Sequence, residues 1–136
     1  MKIEPDDDSS PEFISALNKL KEFNGMKIGH SKFEENQICG NLFKEGNKKG
    51  FFSGDGMYFR FFTLYFLTRK LFIDQNTKTT EGRKVIEFRS IVDCKEHDGQ
   101  IILLTDRRKF ILTAGNKQER ELWMAGFNFV LANNSE

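Results

Sequence analysis

Long apolar runs are missing from this chain. The best candidate, Met57 to Ile73, is broken by Arg60 and by the pair Arg69 and Lys70, so it falls short of the roughly 18 uninterrupted apolar residues of a membrane-spanning helix. Cysteine is scarce as well. Cys39 and Cys94 are the only two, they lie far apart, and they match no zinc or redox spacing. They read as reduced thiols of a cytosolic protein, with a single disulfide as the alternative. Histidine is limited to His30 and His97, in separate regions without a carboxylate or cysteine at ligand spacing, so no metal, no cofactor and no catalytic pair is expected. Gly46, Gly50, Gly54 and Gly56 lack the Gly-Lys-Ser/Thr of a phosphate-cradling loop and read as turn glycines. The chain is not expected to be an enzyme. Its first residues, Met1 to Asp8, have neither the apolar stretch of a secretory signal nor the glycine at position 2 that myristoylation needs.

What the chain does have is phenylalanine: fifteen, against one Trp and two Tyr, in 136 residues. That length suits one domain plus a short extension, and the composition implies a packed core with few polar handles needing partners. The net charge of +1 is unevenly spread. Residues 1–36 carry a net −3 and residues 37–136 a net +4. Within residues 42–84, nine basic side chains face four acidic ones, which concentrates positive potential in one stretch.

The first ten residues are acidic, polar and carry Pro5, so they read as a solvated tail. Ser9, Ser10, Pro11 and Glu12 supply a helix start. Phe13, Ile14, Leu17 and Leu20 follow at helical spacing, and Gly25 ends an amphipathic helix expected over about residues 11–24. Its polar face is mixed in charge, which favours packing on the neighbouring domain over lying on a bilayer. From Ile38 onward, short β-branched and aromatic runs alternate with Gly, Asn and Asp turns. This predicts strands near 38–46, 57–66, 69–75, 84–88, 90–96, 100–105 and 109–114. Asn116 can then cap a helix, with Glu119 completing the reciprocal cap, and Leu122, Trp123, Gly126, Phe127 and Val130 recur at helical spacing to about Ala132. The expected architecture is mainly β: seven antiparallel strands folded as a sandwich or partial barrel and capped by a C-terminal helix. Residues 1–36 form the extension and residues 37–133 the domain.

Three sequence marks resemble the pleckstrin homology family over roughly residues 37–133. Gly40-Asn41-Leu42-Phe43-Lys44-Glu45-Gly46 is similar to the family's first strand. Arg60-Phe61-Phe62-Thr63-Leu64 is similar to its second. Phe110 to Ala114 leading into Glu119-Arg120-Glu121-Leu122-Trp123 is similar to its last strand and the helix with the characteristic tryptophan. The indole of Trp123 is expected to plug an open end of the barrel, with a loss of about 3 to 5 kcal/mol on truncation.

The resemblance implies binding of anionic phospholipid, a phosphoinositide or phosphatidic acid, between the first two strands. The family's pattern is a first-strand lysine, a variable loop, then basic, any residue, arginine on the second strand. Lys44 and Arg60 match its ends, whereas Tyr58 stands where the middle cation would be. Lys48, Lys49, Arg69 and Lys70 are the expected compensating headgroup-binding cations, since phosphates need several converging donors. Lys48 and Lys49 also fit a plain solvated turn. Phe51 and Phe52, between that pair and the Gly54-Asp55-Gly56 turn, fit either a wedge into the bilayer or a longer hairpin that returns them to the core. Nucleic acid is not an expected partner, because the aromatics of 58–62 and 69–72 alternate on strands and are needed for the core. The expected location is cytoplasmic, peripheral on the cytosolic face of a membrane. The rival reading is a protein-interaction scaffold without lipid binding.

Overall fold

The computed structural model describes residues 11–34, 36–45 and 57–134. Helix α1 (Pro11–Lys21) is followed by the short strands β1 (Lys27–Ile28) and β2 (Ser31–Glu34). Then come β3 (Gln37–Glu45), β4 (Met57–Tyr65), β5 (Lys70–Asp74), β6 (Lys84–Glu87), a 3-10 turn (Phe88–Ser90), β7 (Ile91–His97), β8 (Gln100–Thr105) and β9 (Lys109–Thr113). Helix α2 (Lys117–Asn134) closes the chain. No helix among these residues is long and apolar enough to cross a membrane.

Each of the seven expected strands is present, in the order β6-β5-β4-β3-β9-β8-β7 and antiparallel throughout. Strand β3 organises the sheet. One of its edges pairs with β4 along its whole length, from Gln37↔Tyr65 to Glu45↔Met57. Its other edge is shared: β2 takes Gln37 to Gly40, and β9 meets it at Phe43 and Lys44. Among the described residues the path ends unpaired at β6 and β7, so the sandwich stays open there.

Alternation of side chains sets the core. Ile38 and Leu42 of β3, Phe62 and Leu64 of β4, Leu71 of β5, Ile101 and Leu103 of β8 and Leu112 of β9 are fully buried. They pack against Leu122, Trp123 and Phe127 of α2. The Trp123 ring stands edge-on to Phe62 at 6.2 Å and leans on Phe127 at 5.9 Å. Phe66 meets Phe33, Phe88 and Phe129 edge-on. The phenylalanine excess thus serves a core that needs almost no polar partners.

Strands β1 and β2 depart from the sequence expectation, in which residues 1–36 carried one helix and no strand. Helix α1 also stops at Lys21, three residues early. The chain then tightens into i−3 hydrogen bonds at Phe23 and Asn24, and Gly25 at φ +81° turns it to donate its N–H to Phe33. Leu17, Leu20, Phe23, Ile28 and Phe33 all join the core, so this segment packs on the domain. Close approach explains one more glycine: a side chain at Gly40 would collide with the backbone of His30 and Ser31 on β2.

The start of α2 also ties the N-terminal hairpin down. Asn116 Oδ1 accepts the N–H of Glu119 at 2.8 Å, as expected for a cap. The Glu119 carboxylate reaches past Asn116 to the N–H of Gly115 at 2.8 Å, and its other oxygen accepts the N–H of His30 at 3.0 Å and the hydroxyl of Ser31. Ser31 Oγ in turn accepts the indole N–H of Trp123 at 2.9 Å. Trp123 is therefore both a plug and a hydrogen-bond donor. Cys39 and Cys94 are free thiols, both pushed up by burial, Cys94 to about 12.

Candidate anion-binding site

The period of two that builds the core also aims cations at its open end. Beyond Leu42, Phe62 and Ile73 on the inner face, the next inward positions are Lys44 on β3, Tyr58 and Arg60 on β4, and Lys84, which pairs with Ile73. On β9, Phe110 precedes the buried Leu112, with Arg108 just before it in the β8–β9 turn. Lys44, Arg60 and Lys84 line a cavity of about 330 Å³. Lys84 also lines an adjoining cavity of about 410 Å³ with Arg107, Arg108 and Phe110.

Lys44 is the deepest of these cations, only 7% exposed. Burial, then the charges of Lys84, Arg108 and Arg60, push its ammonium down to about 8. Lys84 is lowered too, first by burial and then by Arg108 and Arg60. Aromatic faces partly offset the repulsion. Lys44 Nζ and Arg108 Cζ stand 6.0 and 4.6 Å from the centroid of Phe110, and Arg60 Cζ stands 5.0 Å from that of Tyr58. The carboxylate that also lines the cavity, Asp74, is taken: Arg83 grips both its oxygens at 2.8 and 3.0 Å while lying over Phe72. That fork holds the Arg83 guanidinium above its usual range. What results is a concave, aromatic-backed cluster of positive charge.

Of the expected headgroup residues, Lys44 and Arg60 come together at this mouth. Arg69 and Lys70 do not. Arg69 lies in the β4–β5 turn and Lys70 opens β5, pairing with Tyr65 at the far end of β4, roughly 17 Å along the strand from Arg60 at about 3.4 Å per residue. Their adjacency to the basic stretch in sequence is undone by the antiparallel turn. Lys48, Lys49, Phe51 and Phe52 lie outside the described residues. Lys84 and Arg108 stand near Lys44 and Arg60 instead, and sequence alone offered only a weak signal for them: a lysine opening a predicted strand and an arginine in a predicted turn. The aromatics of β4 also differ from expectation. Phe62 is buried, but Tyr58 and Phe59 are exposed, because one face of this strand is open to solvent and the inner face reaches the mouth at residue 58.

No family model matches the sequence, and no curated protein matches it significantly. Solved structures do match the fold. The N-terminal PH domain of human ARAP2 superposes with a TM-score of 0.59 at 18% identity, over 74% of this chain and 83% of that one. The PH domain of human oxysterol binding protein-related protein 11 gives 0.58 at 18% identity, over 74% and 84%. That of human TBC1 domain family member 2 gives 0.53 at 25% identity, over 79% and 92%. With seven antiparallel strands in this order, a closing helix bearing Trp123 and these neighbours, the chain has the pleckstrin homology domain fold.

Proposed function

We propose that the chain is a membrane-targeting module that binds anionic phospholipid, a phosphoinositide or phosphatidic acid, through the mouth of its sandwich, on the cytosolic face of a membrane. One observation carries this reading: Lys44, Arg60 and Lys84 line one cavity, and Arg108 lines the cavity that adjoins it at Lys84. A phosphate seated among them would replace repulsion by charge-assisted hydrogen bonds. The aromatic backing from Tyr58 and Phe110 limits the wandering of the two guanidinium forks, which lowers the ordering cost of that contact. Each cation near an anionic leaflet contributes about 1 kcal/mol, so four supply about 4 kcal/mol that salt would weaken. In this reading Lys48 and Lys49 add to the charge, and Phe51 and Phe52 enter the bilayer. Arg69 and Lys70 act only as distant contributors to the field.

A second reading, a protein-interaction scaffold without lipid binding, is favoured by Ile14. This side chain of α1 is 43% exposed and lines an open surface depression, whereas Leu17 and Leu20 of the same helix are buried. Co-sedimentation with phosphatidylcholine vesicles containing phosphatidic acid and a phosphoinositide, at low salt, separates the two. The wild type is expected to bind, and Lys44→Glu with Arg60→Glu to abolish binding with a melt close to wild type. Failure of the wild type to bind would leave the scaffold reading standing.

A further inference from the structure

The outer face of the same hairpin carries a feature that neither the core nor the cationic cleft uses. Phe43 of β3 and Phe59 of β4 are directly paired across the strands, with ring centroids 4.6 Å apart. His30 stands edge-on to Phe59 at 5.7 Å. Despite this stacking the two rings stay 39% and 41% exposed. Water-facing positions of a half-buried antiparallel sheet are ordinarily polar, so two solvent-facing phenylalanines on one rung call for a partner.

We infer that Phe43 and Phe59 form a second, apolar contact with the same membrane, on the opposite side of the β3–β4 hairpin from the cations; this rests on the lipid reading above. The register supports it. Three successive rungs are Leu42↔Arg60, Phe43↔Phe59 and Lys44↔Tyr58. The aromatic rung thus lies between the two that carry Arg60 and Lys44, about 3.4 Å from each. A bilayer lying across the end of the hairpin would meet the cations on one face and the rings on the other at the same level along the strands.

The size and shape of the patch favour a lipid surface over a protein. Two fifths of two phenylalanine side chains amount to roughly 120 to 200 Å², far below the about 800 Å² that each partner contributes to a stable protein interface. Neither ring lines the cavities that hold the cations. Small apolar protrusions beside cations are suited to the boundary between headgroups and acyl chains.

The test uses the vesicles described above and two variants. Replacing both rings (Phe43→Ser with Phe59→Ser) is expected to weaken partition at least about tenfold, with a cooperative melt showing that the sheet remains folded. A second variant, Phe59→Trp, gives a reporter whose emission shifts to the blue on vesicles and is quenched by lipids brominated along the acyl chain; Trp123 is fully buried, so its quenching in the wild type sets the background. Weakened partition together with quenching above that background supports the inference. Unchanged partition by the serine variant, or a Phe59→Trp reporter that binds without extra quenching, overturns it while leaving the lipid reading intact. If the wild type ignores these vesicles, both readings fall together. Should the serine variant not fold, the quenching measurement decides alone.

Discussion

Lys44 gives the sharpest test of the site, because stability and binding should respond to it in opposite directions. Its ammonium sits at about 8, against 10.5 for an unburdened lysine. The folded state therefore binds its proton less tightly than the unfolded chain does, which means that the charged amine opposes folding at neutral pH. At about 1.36 kcal/mol for each pH unit of that interval the ceiling is about 3 kcal/mol, and solvent at the mouth screens it to about 1 to 2 kcal/mol. Lys44→Met keeps the aliphatic stem and removes the charge, so it should raise stability at pH 7 by about that amount. The opposing contribution is fully present below about 8 and is gone above 10.5. The advantage of the methionine variant should therefore shrink as pH rises through this window. Urea unfolding at pH 7 and at pH 10, on both proteins, measures it. The same variant should bind anionic vesicles more weakly, by about the 1 kcal/mol that one cation contributes. A methionine variant less stable than wild type at pH 7, or a difference that does not change with pH, would refute the electrostatic account of Lys44.

Two further outcomes follow from the polar lock and the core. Glu119→Gln places an amide N–H₂ where one carboxylate oxygen now faces donors from Gly115, His30 and Ser31, so it should cost about 1 to 3 kcal/mol in a chemical melt; a neutral effect would show that the network rearranges freely. At Gly126 a methyl group would collide with the side chains of Ile38 and Leu64. Gly126→Ala should therefore lower stability by about 1 to 3 kcal/mol despite its better helix propensity, and a stabilised variant would mean that β3 yields there easily.

The seven strands were legible because alternating apolar residues and Gly, Asn or Asp turns report local geometry. Strands β1 and β2 were not. Lys27–Ile28 and Ser31–Glu34 are too short for a period to declare itself, and they exist because Gly40 leaves room for Ser31 to approach β3. The cap at Asn116 could be read from spacing, whereas the grip of Glu119 on residues 88 and 89 positions away could not. The same division holds at the site. Lys44 and Arg60 alternate with Leu42 and Phe62 on strands paired by a hairpin, so sequence spacing sufficed. Lys84 and Arg108 join them through β5 and β9, and Arg69 and Lys70 leave them through the β4–β5 turn. Charge counted along the chain cannot see either pairing.

The contacts between Ser31, Glu119 and Trp123 also set an order of events. Ser31 and Trp123 are 92 residues apart. A ribosome adding about 5 to 20 residues per second releases the N-terminal hairpin on the order of ten seconds before the residues that satisfy it are made. Through that interval Leu17, Leu20 and Phe33 have no α2 to cover them, so the first third of the chain is the part that most needs protection during synthesis. Completion is then abrupt, because one carboxylate and one indole secure the N-terminal hairpin to α2 together.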